Sequence, residues 1–92
     1  MRESTVEATT CRWAREHGII VIKLSGANAR GQPDRLFLRN RVAALIEFKA
    51  PGGRLSPLQR RWLVKLAGHG FPAEWFDDSG KAIAWLEGVF HV

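Results

Sequence analysis

The stretch Val42-Ala43-Ala44-Leu45-Ile46-Glu47-Phe48-Lys49 is apolar up to its last turn of chain, where two charges of opposite sign appear. Side chains on a β-strand alternate between faces, so Glu47 and Lys49, two apart, project together. A strand this apolar belongs inside a sheet. An unpaired carboxylate or ammonium there costs several kcal/mol, so something must compensate the charges at its end.

Reading outward toward the N-terminus, Arg39-Asn40-Arg41 is a hairpin turn, and Asp34 to Leu38 is a strand antiparallel to Val42–Lys49. The strand is preceded by Gly31-Gln32-Pro33, and the stretch from Ser25 to Pro33 is small, polar and Gly-bearing, which predicts a loop. Pro33, with its fixed φ, stiffens the chain just before Asp34 and sets that carboxylate where the loop meets the sheet. The β-branched run Ile19-Ile20-Val21-Ile22 predicts another strand. Before it, Ser4-x-x-Glu7 reads as a capping box, opening a helix that runs to His17 and closes at Gly18.

Toward the C-terminus, Pro51-Gly52-Gly53 breaks the strand. Ser56-Pro57-Leu58-Gln59 combines an N-cap, a proline at the first helical position and a Gln three residues after the cap, which predicts a helix to about Ala67. Gly68 and Gly70 end it, Ala73 to Phe76 is a short strand, and Asp78 or Ser79 caps a last helix through Leu86 or Glu87. The residues Val89 to Val92 are too few to assign. The order αβββαβα, with a helical crossover between the last two strands, predicts an α/β fold. Its mixed four-stranded sheet has an antiparallel meander followed by a parallel pair, flanked by helices. The whole chain, 1–92, reads as a single domain without repeat or linker.

A divalent cation held by Asp34 and Glu47 would neutralise the buried charges, with Lys49 beside its water. Hard cations prefer oxygen ligands and keep several waters, so two carboxylates, the backbone carbonyl of Phe48, water and a substrate phosphate make a suitable shell, and Mg²⁺ or Mn²⁺ is the expected ion. Lys49 can orient the attacking water or neutralise charge developing at phosphorus. The chemistry implied is phosphodiester hydrolysis.

Two roles are open to Glu7: reciprocal partner of Ser4 in the capping box, or a further metal ligand, direct or through water. At helical spacing it shares a face with Thr10, Cys11 and Ala14, which should pack inward. Gln59 has the same two options, because it completes the box with Ser56 and also shares a face with Trp62, Leu63 and Leu66.

With 14 Lys and Arg against 9 Asp and Glu, the chain carries a net charge of +5, which favours a polyanionic partner. Arg30, Arg35, Arg39, Arg41, Arg54, Arg60, Arg61 and Lys65 gather around the proposed site, and Arg30, Arg35, Arg54, Arg60 and Arg61 are the candidate phosphate contacts. Cys11 is the single cysteine, which excludes an internal disulfide and a cysteine-based zinc site and suits a buried filler. His17, His69 and His91 show no zinc-ligand spacing. Among Trp13, Trp62, Trp75 and Trp85 most should be core, while adjacent Trp75 and Phe76 send one aromatic to each side of their strand, a candidate dimer contact. There is no signal-peptide pattern and no run long enough to cross a bilayer, so a soluble cytoplasmic protein is expected, of a bacterial or phage-infected cell.

These residues, Glu7, Gly31-Gln32-Pro33-Asp34, Ile46-Glu47-Phe48-Lys49 and Ser56-Pro57-Leu58-Gln59, resemble the PD-(D/E)xK nuclease superfamily and, within it, the VRR-NUC domain in its minimal, stand-alone form. The resemblance covers nearly the full chain. It implies a restriction-endonuclease-like core, dependence on Mg²⁺ or Mn²⁺, action on DNA, and a site made of Asp34, Glu47, Lys49 and Gln59. Stand-alone members look like Holliday junction resolvases and work as homodimers, so branched DNA, a four-way junction above all, is the expected substrate. A flap or duplex nuclease, or a non-catalytic DNA-binding module on the same fold, are the alternatives.

Overall fold

The computed structural model describes residues 1–24 and 30–92; residues 25–29, part of the expected loop, lie outside the described residues. Seven elements follow one another as α1 (Glu3–Glu16), β1 (Ile20–Lys23), β2 (Arg35–Arg39), β3 (Val42–Phe48), α2 (Pro57–Gly68), β4 (Ala73–Phe76) and α3 (Ser79–Phe90). This is the expected αβββαβα order. The sheet runs β1-β2-β3-β4, with β1/β2 and β2/β3 antiparallel and β3/β4 parallel across the α2 crossover, a restriction-endonuclease-like arrangement.

The start of α1 departs from the sequence reading. Arg2, not Ser4, is the N-cap, with extended φ −95° and ψ 156°, and no side chain caps the helix. The Arg2 carbonyl accepts the N–H groups of Thr5 and Val6, which places Ser4 inside the first turn. Glu7 therefore has no capping role, and its carboxylate is taken by a residue far away in sequence. The far end of α1 matches expectation: Gly18 is left-handed at φ 75°, and the Ile19 N–H reaches back to the Ala14 carbonyl, so the last carbonyls are satisfied.

Between β2 and β3, Asn40 and Arg41 take left-handed φ of 49° and 68°, and Arg39 pairs with Val42 across them. Two such residues in succession suit the twist of a tight hairpin, and Asn tolerates the conformation well.

One face of the sheet carries Val21, Phe37, Ala44, Ile46 and Phe48, registered across strands, and meets α1 and α3 to make the core. Val6, Cys11 and Ala14 enter it from α1, Ala82, Leu86 and Phe90 from α3. The stripe Ala82-Leu86-Phe90 explains why α3 runs one turn beyond the expected end: burying Phe90 repays ordering that turn, and His91, left-handed at φ 56°, stops it. The opposite face carries Ile20, Ile22, Leu36, Leu38 and Leu45. Helix α2 lies against β4, at one side of this face. Ile20 and Ile22 consequently stay 60% and 41% exposed. Phe76 packs inward against Trp85, ring centroids 5.6 Å apart, while Trp75 points to the other side, as alternation required. Among the described residues no helix is long and apolar enough to cross a membrane.

Candidate metal centre

Asp34 is pinned by its backbone from both neighbouring strands. Its N–H donates to the Ile46 carbonyl at 3.0 Å, and its carbonyl accepts the Leu24 N–H at 2.9 Å. These bonds extend the β1–β2–β3 ladder by one residue and aim the side chain at the end of β3, where Oδ2 accepts the Phe48 N–H at 2.8 Å. Glu47, one residue earlier on β3, is only 4% exposed. Its Oε2 accepts Gln59 Nε2 at 3.2 Å and lies 3.6 Å from Lys49 Nζ.

Gln59 fills both roles that the sequence left open. Its Oε1 accepts the Ser56 N–H and its own N–H donates to Ser56 Oγ, a complete capping box, while its Nε2 is free to hold Glu47. The cap thereby orients the amide that holds the carboxylate.

Glu7 lies near enough for its charge to raise the Asp34 carboxyl, but its own partner is Arg35. Arg35, at the start of β2, donates Nε to Glu7 Oε2 at 2.5 Å, and both side chains are largely buried, 17% and 19% exposed. Of the expected ligand Glu7 and the expected phosphate contact Arg35, each already has the other as partner, in a place where separating them would strand a charge. The acid from α1 that does approach is Glu3, one helical turn earlier and exposed. Oxygens of Glu3, Asp34 and Glu47 lie within 4.8 Å of one another. Sequence reasoning missed Glu3. The signal was its place on the same helix face as Glu7, but spacing alone cannot tell which of two acids one turn apart reaches a neighbouring strand.

Three carboxylates therefore gather at the end of β3, with the Lys49 ammonium 3.6 Å from Glu47. Burial, and then the charge of Asp34, push the Glu47 carboxyl up to about 7 from its ordinary 4.5, against the opposing pull of Lys49. Burial also raises Asp34, although the Phe48 N–H holds it back. Such a set suits a hard divalent cation, because all donors are oxygens and small side-chain rotations would bring three that lie within 4.8 Å of one another onto an octahedral Mg²⁺ shell, whose neighbouring oxygens stand about 3 Å apart. The Phe48 N–H is the group that meets Asp34.

Of the expected phosphate contacts, Arg30, Arg54, Arg60 and Arg61 are exposed. Gly31, left-handed at φ 81°, comes so close to α2 that a Cβ on it would stand 2.7 Å from Leu58 Cγ and 3.1 Å from the Leu58 carbonyl carbon. The indole N–H of Trp62 donates to the Arg30 carbonyl at 3.0 Å. Together these contacts clamp the Arg30–Asp34 segment to the helix that carries Gln59. Cys11 is 1% exposed, a core filler whose thiol burial pushes up.

A family model described as the VRR-NUC domain matches residues 5–77, a span that holds Glu7, Asp34, Glu47, Lys49 and Gln59 and begins just after Glu3. No curated protein matches the chain.

Proposed function

Because this chain belongs to the VRR-NUC domain family, a family of DNA-processing nucleases, we propose that it is an endonuclease dependent on Mg²⁺ or Mn²⁺ that cuts branched DNA, four-way junctions above all, as a homodimer. The observation that carries the reading is the convergence of Glu3, Asp34 and Glu47, with the Lys49 ammonium beside Glu47. Asp34 and Glu47 are the principal ligands, Glu3 and the Phe48 carbonyl the supporting ones. A bound ion would acidify a water and polarise the scissile phosphate.

The chain's own groups do the rest. Lys49 Nζ, on the same side of β3 as Glu47, orients the attacking water and offsets negative charge growing on the phosphoryl oxygens. Gln59 keeps the Glu47 carboxylate turned toward Asp34. Exposed Arg30, Arg54, Arg60 and Arg61 flank the site and neutralise the backbone of the bound strands. The exposed apolar side chains of Ile20 and Ile22 on the outer sheet face support self-association, and a two-fold dimer presents two sites, as paired incisions of a symmetric junction require.

The test is incubation of end-labelled junction, flap and linear duplex with the protein in Mg²⁺ or Mn²⁺, alongside mass measurement in solution. Paired symmetric incisions of the junction by a dimer are expected. Asp34→Asn and Lys49→Ala should each lower cleavage by on the order of 10³-fold and leave junction binding within about threefold, because phosphate contacts are spread over several arginines. Full cleavage by either variant would overturn the assigned roles. Incision of flap or duplex alone would move the substrate, and binding without any cleavage would leave a DNA-binding module.

A further inference from the structure

Helix α2 connects the carboxylate site to an aromatic surface. Gln59 reaches Glu47, and Trp62 follows three residues later, about 4.5 Å along the helix axis. That displacement is comparable to the 3.4 Å or more that separates successive nucleotides of one strand. Trp62 is half-buried, and its ring is held in one orientation by the bond from its N–H to the Arg30 carbonyl. Beside the ring opens a hollow of 230 Å³ lined by Leu58, Arg61 and Lys65. A second hollow, of 170 Å³, touches the same ring and is bounded by Gln32 and Pro33, the residues that lead into Asp34.

The chemistry of this surface is specific. Lys65 Nζ sits 5.2 Å from the ring centroid, so the indole already draws a cation, and the group that would have to move aside is the end of a flexible side chain. Leu58 is 40% exposed and Arg60, Arg61 and Lys65 are exposed, an apolar and aromatic hollow rimmed with cations. An unstacked nucleobase has the π-face that such a ring takes and the phosphate that such a rim takes. Bases within duplex DNA are stacked on one another and cannot offer that face.

We propose that Trp62 and Leu58, rimmed by Arg61 and Lys65, form a subsite for one unpaired nucleotide of DNA adjacent to the phosphate that a cation at Asp34 and Glu47 would engage. The inference rests on the nuclease reading for the identity of that phosphate. The subsite makes recognition of branched or opened DNA a property of each protomer. A strand enters only where a base next to the cut can leave its stack.

The test is made in EDTA, so that binding is read without cleavage, with 2-aminopurine scanned through an unpaired strand and through the arms of a junction. Wild type should quench the fluorophore at one or two positions and bind unpaired strand in preference to duplex. Trp62→Leu should abolish the quench and lower the ratio of unpaired to duplex affinity about tenfold, the effect of losing one aromatic stacking partner. Trp62→Phe, which keeps a ring but loses the N–H to Arg30, should retain most of both. Absence of a quench at every position, or an unchanged ratio in Trp62→Leu, would overturn the subsite. A Trp62→Phe variant as impaired as Trp62→Leu would also overturn it and assign Trp62 to anchoring the Arg30 segment. If circular dichroism shows Trp62→Leu unfolded, the quench by wild type and Trp62→Phe decides. Junction cleavage without a quench sinks the subsite and spares the nuclease; a quench without cleavage in Mg²⁺ does the reverse.

Discussion

Asp34 and Arg35 are adjacent in the chain, yet they belong to two electrostatic regions of opposite kind. Arg35 meets Glu7 in a largely buried ion pair between α1 and β2, and it also feels the charge of neighbouring Asp34. Asp34 lies with Glu47 and Glu3 in an acidic set that also feels the charges of Glu7, Lys49 and Arg35, and the excess of acid appears as a Glu47 carboxyl pushed up to about 7 by burial and by Asp34. A matched pair needs nothing further and holds elements together. An unmatched group spends stability to keep a place ready for a charge from outside. Since both sites lie within reach of α1, their difference separates what charge does for folding from what it does for chemistry.

The largest effect should come from removing the imbalance. Glu47→Gln is expected to lower cleavage by on the order of 10³-fold and yet raise metal-free stability at pH 8 by about 2 kcal/mol. The sign follows from proton binding. The unfolded chain releases the Glu47 proton near 4.5 and the folded chain holds it to about 7, so its stabilising contribution is full below 4.5 and is lost as pH rises to 7. Denaturant titrations in EDTA between pH 4.5 and 8 should show wild type weakening over that window more steeply than the variant. Adding Mn²⁺ at pH 8 should stabilise wild type only. A variant less stable than wild type in EDTA at pH 8 would contradict the account.

The matched pair should respond in the opposite way. Glu7→Gln or Arg35→Met should each cost about 2 kcal/mol in denaturant unfolding, and the double replacement Glu7→Leu/Arg35→Met should recover most of it, because the loss lies in the stranded partner. Equal or additive losses in the double variant would show that the pair contributes more than charge balance. Smallest of the three, Glu3→Gln should raise the Mn²⁺ concentration for half-maximal binding, read by calorimetry, about tenfold, whereas Glu7→Gln should leave it nearly unchanged. The reverse ranking would return Glu7 to the metal.

Much of this arrangement is legible in the amino-acid sequence alone. The alternation that aims Glu47 and Lys49 together, the Asn-bearing hairpin, the Ser56–Gln59 cap and the strand order all rest on neighbours within a few residues or on one crossover, and each is found as read. Ser4 and Glu7 had the same local signature as Ser56 and Gln59 and yet form no cap. A box at Ser4 would use hydrogen bonds like those at Ser56, but Arg35 offers Glu7 a charged partner in a dehydrated place, which outweighs a backbone N–H exposed to water. Gln59 meets no such conflict, because its two amide ends serve Ser56 and Glu47 at once.

Residue order alone thus settled the succession of helices and strands, the Asp34–Glu47–Lys49 constellation and the excess of positive charge, since these follow from backbone sterics, side-chain period and composition. Folding in space decided the rest. It brought Glu3 to Asp34 and Glu47, paired Glu7 with Arg35, and set Trp62 beside the residues that lead into Asp34. Those outcomes depend on how α1 and α2 dock on the sheet, and docking is governed by burial and charge matching between segments far apart along the chain, which no local pattern encodes.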